Sequence, residues 1–92
     1  MGTAPVIVMY ATGWCPYFAR ARQLLEARGA RWTEIDVASV EGAREEMQQH
    51  SGRRTVPQIF IGERHIGGFD DLNALDAAGG LEPLLAGDAP AN

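Results

Sequence analysis

Apolar residues in this chain come in short blocks, and the spacing inside each block predicts an element. Val6-Ile7-Val8-Met9-Tyr10 is an unbroken apolar run, too short for a helix and rich in β-branched side chains, the pattern of a strand buried on both faces and central in its sheet. The turn Ala11-Thr12-Gly13-Trp14 leads into Cys15-Pro16. Proline at a first helical position has its φ already set and no N–H to leave unpaired, so a helix is expected to start there. Phe18, Ala21, Leu24 and Leu25 recur on one face of it, Arg20, Gln23 and Glu26 fall elsewhere, and Gly29 supplies the stop.

Trp32 to Val37 alternates, with Thr33, Ile35 and Val37 on one side and Trp32, Glu34 and Asp36 on the other, which reads as a second strand with one wetter face. Strand, helix, strand makes a parallel unit with a right-handed crossover. Ser39 is placed to cap a second helix that turns Val40, Ala43 and Met47 inward and ends near Gly52, with Gly42 as a weak point inside it. The segment from Val56 to Ile61, a Gly62-Glu63 turn and Arg64-His65-Ile66 form a hairpin, which Gly67-Gly68 breaks. Asp70 is expected to cap a third helix carrying Leu72, Leu75 and Ala78, and Leu81, Leu84 and Leu85 suggest a short helical turn after Gly79-Gly80. The order β-α-β-α-β-β-α predicts an α/β fold: a four-stranded mixed sheet with helices on both faces.

The chain has 92 residues, enough for one domain, 1–92, with an ordered core over about 5–86 and a short polar tail at 87–92. Twelve acids against eight bases, every base an arginine, give a net charge of −4. No basic stripe exists to displace counterions from phosphates, so nucleic acid is not an expected partner. At 46% hydrophobic and 22% charged residues the composition is that of a globular protein, and a membrane partner is not expected either. Met1 to Pro5 lacks the basic and apolar regions of a secretory leader. With a single cysteine, Cys15, no internal disulfide can form, and a reducing cytoplasmic location is the expectation. His50 and His65 are too separated for the ligand spacing of a structural zinc site; both read as surface residues.

Cys15 is the residue whose position carries chemistry. It follows a buried strand and precedes the first turn of a helix, where free N–H groups and the positive end of the helix dipole favour a thiolate, the form that attacks disulfides or binds soft metals. Read by itself, a lone cysteine also fits a small buried hydrophobe.

The run from Tyr10 to Tyr17, Tyr-Ala-Thr-Gly-Trp-Cys-Pro-Tyr, resembles the active-site segment of glutaredoxins, small glutathione-dependent members of the thioredoxin-fold superfamily. Thr55 to Ile61 and Ile66 to Leu72 resemble two further segments of that family, in the same order and at the same separation. The likeness is to the short bacterial kind that carries a Cys-Pro-Tyr-Cys motif, with Phe18 in place of the second cysteine. It implies a thioredoxin-like fold, Cys15 as the catalytic thiol, and glutathione as co-substrate held by Thr12, Tyr17, Thr55, Val56, Pro57, Gly68, Phe69 and Asp70. The family's proline follows a cis peptide bond, although Pro57 alone equally fits a trans proline opening an edge strand. The family's γ-glutamyl carboxylate site falls at Phe69 and Asp70, and Asp70 also fits an ordinary helix cap. Thr12 stands where many relatives have a lysine, and Arg53 or Arg54 is placed to supply that charge.

Without a second cysteine, the activity implied is a one-thiol reduction of glutathione mixed disulfides, on glutathionylated proteins or small mixed disulfides, by a monomer. An alternative implied by the resemblance is a homodimer carrying a [2Fe–2S] cluster on two Cys15 thiolates and two glutathiones. Pro16 and the lack of a Gly-Phe-Ser run count against it, and no metal is expected. A redox-inert glutathione binder is the third reading.

Overall fold

The computed structural model describes residues 6–13 and 15–86. Eight elements follow one another along the chain: β1 (Ile7–Ala11), α1 (Pro16–Ala27), β2 (Thr33–Asp36), α2 (Ala43–Ser51), β3 (Gln58–Ile61), β4 (Arg64–Gly67), α3 (Phe69–Ala77) and α4 (Leu81–Leu85). The strands form one mixed sheet in the order β2-β1-β3-β4. β1 runs parallel to β2 and antiparallel to β3, and β3 runs antiparallel to β4. The unbroken apolar run of β1 thus lies in the interior of the sheet, beside β3, as a strand covered on both faces must.

Each face of the sheet has its own core. On one side Ile7, Met9 and Ala11 of β1 and Ile59 and Ile61 of β3 meet Phe18, Ala21 and Leu25 of α1, Leu72 of α3, and Leu81 and Leu84 of α4. On the other, Tyr10 and Phe60 meet Val37 and the α2 residues Ala43 and Met47. The alternation of strand side chains sorts these two sets. A four-stranded mixed sheet with helices on both faces is therefore the observed architecture.

Several local readings need correction. Ser39 does not cap α2: its hydroxyl donates to Asp36 Oδ2 at 2.9 Å, and Val37 to Gly42 form turns instead of helix. The N-cap is Gly42, at φ +81°, a left-handed conformation glycine adopts without a Cβ clash. Val40, expected inward, is exposed. Asp70 does not cap α3 either, because the helix begins one residue before it, with Gly68 as N-cap. Ala78 lies just past the end of α3 and is exposed. Val56 and Pro57 precede β3 and are not part of it. Trp14, residues 1–5 and the tail at 87–92 lie outside the described residues.

Candidate active site

Cys15 stands at the N-cap of α1 in extended conformation (φ −150°, ψ 135°), with Pro16 at the first helical position. Its carbonyl accepts the Ala19 N–H at 3.0 Å, the first hydrogen bond of the helix. The residue is half-buried and leans on the α1 side of the core. Its backbone is thus fixed at the start of α1, a short loop after β1, with no second thiol anywhere in the chain.

Phe18 lies one turn further on, 7% exposed and packed into the same core. Arg22 stacks on it, with the guanidinium carbon 4.0 Å from the ring centroid. The same guanidinium donates to both carboxylate oxygens of Glu34, at 2.6 and 2.9 Å, and the Trp32 indole N–H donates to Glu34 at 3.0 Å. Glu34 is consequently held below the usual carboxylate range, chiefly by Arg22, despite partial burial working the other way.

A groove of about 220 Å³ adjoins the first turn of α1. Thr55, Val56 and Pro57 line one wall; Gly68, Phe69 and Asp70 line the other; Tyr17 of α1 reaches it, exposed at 51%. The Val56–Pro57 peptide bond is cis. The two walls meet closely, since a Cβ on Gly68 would stand 3.4 Å from the Pro57 carbonyl oxygen. Seven of the residues singled out in the sequence are thereby brought together. Cys15 is not among the residues lining this groove, although Tyr17 is two positions from it. Thr12 is placed elsewhere: it lines a separate hollow between α1 and β2, with Phe18, Arg22 and Asp36. Its side chain adds to the pull that the Ala38 N–H and the Ser39 hydroxyl exert on the Asp36 carboxyl, which lies below its ordinary range.

The far wall is organised by Asp71, the third residue of α3. It reaches back to accept the Gly68 N–H at 3.0 Å, which supplies half of a capping box, and it pairs with Arg53 at 3.0 Å across the groove. These two donors, the Gly68 N–H first, lower its pKa. Gly67, at φ +119°, gives the approach room, because a Cβ there would overlap the Asp71 carboxylate. Arg53 and Asp71 both line the groove, so it carries charges of both signs.

A cysteine at a strand–helix junction, a cis-proline wall and a helix start closing the groove agree with one family. The glutaredoxin family model matches residues 7–66. This chain belongs to the glutaredoxin family. A glutaredoxin of Pseudomonas aeruginosa is 49% identical over 82 residues, covering 89% of this chain and 98% of its own. The solution structure of a Brucella melitensis glutaredoxin superposes with a TM-score of 0.81 at 45% identity, over 99% of this chain and 98% of that one. A buckwheat glutaredoxin–glutathione complex superposes with a TM-score of 0.80 at 32% identity, over 87% and 76% of the two chains. The fold is thioredoxin-like, and family membership carries glutathione-dependent thiol oxidoreduction as the activity class.

The glutaredoxin groove includes two residues that sequence reading missed, Asp71, described above, and Gln58. Gln58, buried to 1% exposure, lines it and holds its wall in place. A polar residue opening the otherwise apolar block Ile59-Phe60-Ile61 is the signal that marks it, because a buried amide needs partners for both its ends. His65, expected at the surface, is one of those partners and is half-buried. His50 is exposed, with its ring edge-on to Phe60. Among the described residues no group of three or more His, Cys, Asp or Glu side chains is arranged to hold a metal ion.

Proposed function

We propose that this glutaredoxin reduces glutathione mixed disulfides by a one-thiol cycle through Cys15. The observation that carries the reading is a single, partly exposed cysteine at the start of α1 together with a two-signed groove that the same helix reaches through Tyr17, two positions on. Glutathione brings two carboxylates and one ammonium. Arg53, whose Nη1 holds Asp71, has its remaining N–H groups for a carboxylate, Asp70 is the acid available to the ammonium, and the first N–H groups of α3 at Phe69 and Asp70 have no partner within the helix. Thr55 and Val56 offer backbone to an extended tripeptide, as a strand edge does.

The cycle balances without a second protein thiol. The Cys15 thiolate attacks the glutathionyl sulfur of the substrate; that sulfur's bond to the substrate sulfur breaks, and the substrate leaves as a thiolate that takes up a proton. Cys15 is left in a mixed disulfide with glutathione. A second glutathione thiolate attacks the glutathionyl sulfur, glutathione disulfide departs, and Cys15 is restored as the thiolate. Phe18 cannot intercept the intermediate, so release depends on glutathione from solution. Such a cycle suits a compartment rich in reduced glutathione, and the reading places the protein in the cytoplasm as a monomer acting on glutathionylated proteins or small mixed disulfides.

The test is glutathione-dependent reduction of a small glutathione mixed disulfide by the protein and by Cys15→Ser. Turnover by the protein and none above background by the variant supports the reading. Equal rates reject it.

A further inference from the structure

The buried hydrogen-bond chain from β4 to the groove wall has a direction fixed by its own chemistry. Gln58 Nε2 lies 3.0 Å from the Thr55 carbonyl oxygen and 3.1 Å from Thr55 Oγ1. A carbonyl only accepts, so the amide nitrogen is the end that faces Thr55, and Gln58 Oε1 is the end that faces His65. His65 Nε2 lies 2.8 Å from that oxygen and must therefore carry the proton it donates. The histidine is held for this task by its ring, tilted against Phe60 at a centroid distance of 4.9 Å. Phe60 pairs with His65 across the β3–β4 ladder, which puts Gln58 in the diagonal position that a long side chain spans.

The far end of the chain is functional surface. Thr55, Val56 and Pro57 precede β3, and Gln58 is the first residue of that strand to line the groove with them. Both Gln58 N–H groups are committed to Thr55, and its carbonyl oxygen is committed to His65. With 1% exposure no water replaces a lost partner from bulk solvent.

We propose that His65 is a positioning residue for the glutathione groove, orienting Gln58 so that its amide clamps Thr55 and fixes the wall on which the glutathionyl moiety lies. This deepens the function proposed above and rests on it. His65 touches neither Cys15 nor the groove, so its loss is expected to weaken substrate capture and leave the sulfur chemistry alone.

The experiment compares the protein with His65→Leu, which has no donor, and His65→Gln, whose amide N–H reaches the same oxygen. Steady-state kinetics on a glutathionylated peptide are read together with the rate of Cys15 alkylation by iodoacetamide and the thermal midpoint. The expected result is a KM for the peptide raised about tenfold in His65→Leu, the size of a buried acceptor left unpaired. The maximal rate and alkylation rate stay within about twofold of the parent, and His65→Gln recovers most of the KM. Nitrogen-15 shifts of the parent at pH 8 are expected to show the proton on Nε2 of His65. A lowered midpoint with KM unchanged makes the histidine merely structural and overturns the proposal, as does a proton on Nδ1. Should His65→Leu fail to fold, Thr55→Val, which removes one acceptor of the clamp, must raise KM in the same direction, and an unchanged KM there overturns it too. If the parent protein does not turn over the peptide at all, the functional reading falls and the positioning role falls with it; a parent that turns over beside variants of unchanged KM sinks the positioning role alone.

Discussion

Arg22 and Phe18 face each other on adjacent turns of α1, guanidinium carbon 4.0 Å from the ring centre, and this contact makes the residue three positions after Cys15 a structural one. Phe18 contributes its ring to the core beneath β1 and a platform to Arg22 above, whose other side is bound to Glu34 of β2. Phe18→Ala removes both at once. It is expected to cost about 3 kcal/mol, the usual range for truncating a buried phenylalanine, read as a lowered denaturant midpoint with an unchanged slope.

Phe18→Cys tests the one-thiol cycle directly. Positions three apart on a helix are neighbours, within the separation that a disulfide spans. After treatment with glutathione disulfide, the parent is expected to gain one glutathionyl group at Cys15. Phe18→Cys is expected instead to lose two hydrogens and carry no adduct, as the new thiol expels glutathione. Mass spectrometry separates the two, and a persistent adduct on the variant would show that the first turn of α1 holds the sulfurs apart.

Gly67→Ala is predicted to be costly although the change is one methyl group. The φ of +119° disfavours any side chain, and the new Cβ would overlap the carboxylate of Asp71. Asp71 would have to release the Gly68 N–H or Arg53. A loss of about 2 kcal/mol is expected from the backbone strain, with weaker glutathione binding by calorimetry. Gly13→Ala at φ +56°, with open space around the new methyl, separates strain from overlap by costing less.

These contacts show which parts of the molecule are legible along the chain. The interior strands are, because β1 and the Ile59-Phe60-Ile61 block are apolar on both faces and nothing else accounts for so short a run. The start of α1 is legible too, through Pro16. The start of α2 is not, because Ser39 has a nearer acceptor in Asp36 and the left-handed Gly42 takes over as cap. At α3 the cap lies two residues before the expected Asp70, with a physical cause: Asp71, the third helical residue, reaches back to the Gly68 N–H and lets the helix begin at Phe69. The groove walls were legible by family likeness, segment by segment. The Thr55–Gln58–His65 chain was not, since a hydrogen bond between β3 and β4 depends on the ladder register, which is irregular between Ile59 and Phe60.

Tyr10 should titrate late. Burial, followed by its hydroxyl's 2.7 Å hydrogen bond to Glu46, pushes its pKa up to about 12. An ultraviolet titration of the folded protein is expected to show Tyr10 ionising well above the ordinary value of about 10. Tyr10→Phe, which removes the hydrogen bond and keeps the ring against Phe60, should cost about 1 kcal/mol. A normal titration midpoint for Tyr10 would contradict its burial beside Glu46.

The stability of the fold should also depend on pH through two groups whose signs can be worked out. Asp71 lies below its ordinary range because its charged form accepts the Gly68 N–H and Arg53. Its contribution is complete above the unfolded carboxylate value of about 4 and is lost as pH falls through the lower folded one. His65 is lowered by burial first and by Arg53 second, with Asp71 opposing. Below about pH 6.5 the unfolded chain takes up a proton that the folded histidine still refuses. Stability should therefore fall as pH drops from about 6.5 to the folded value, then level off for this group. Carbon-bound proton shifts of His65 are expected to give a midpoint below about 6.5. Denaturant midpoints of His65→Gln between pH 7 and pH 5 should be flatter than those of the parent. A parent and variant with parallel pH profiles would show that His65 does not carry this linkage.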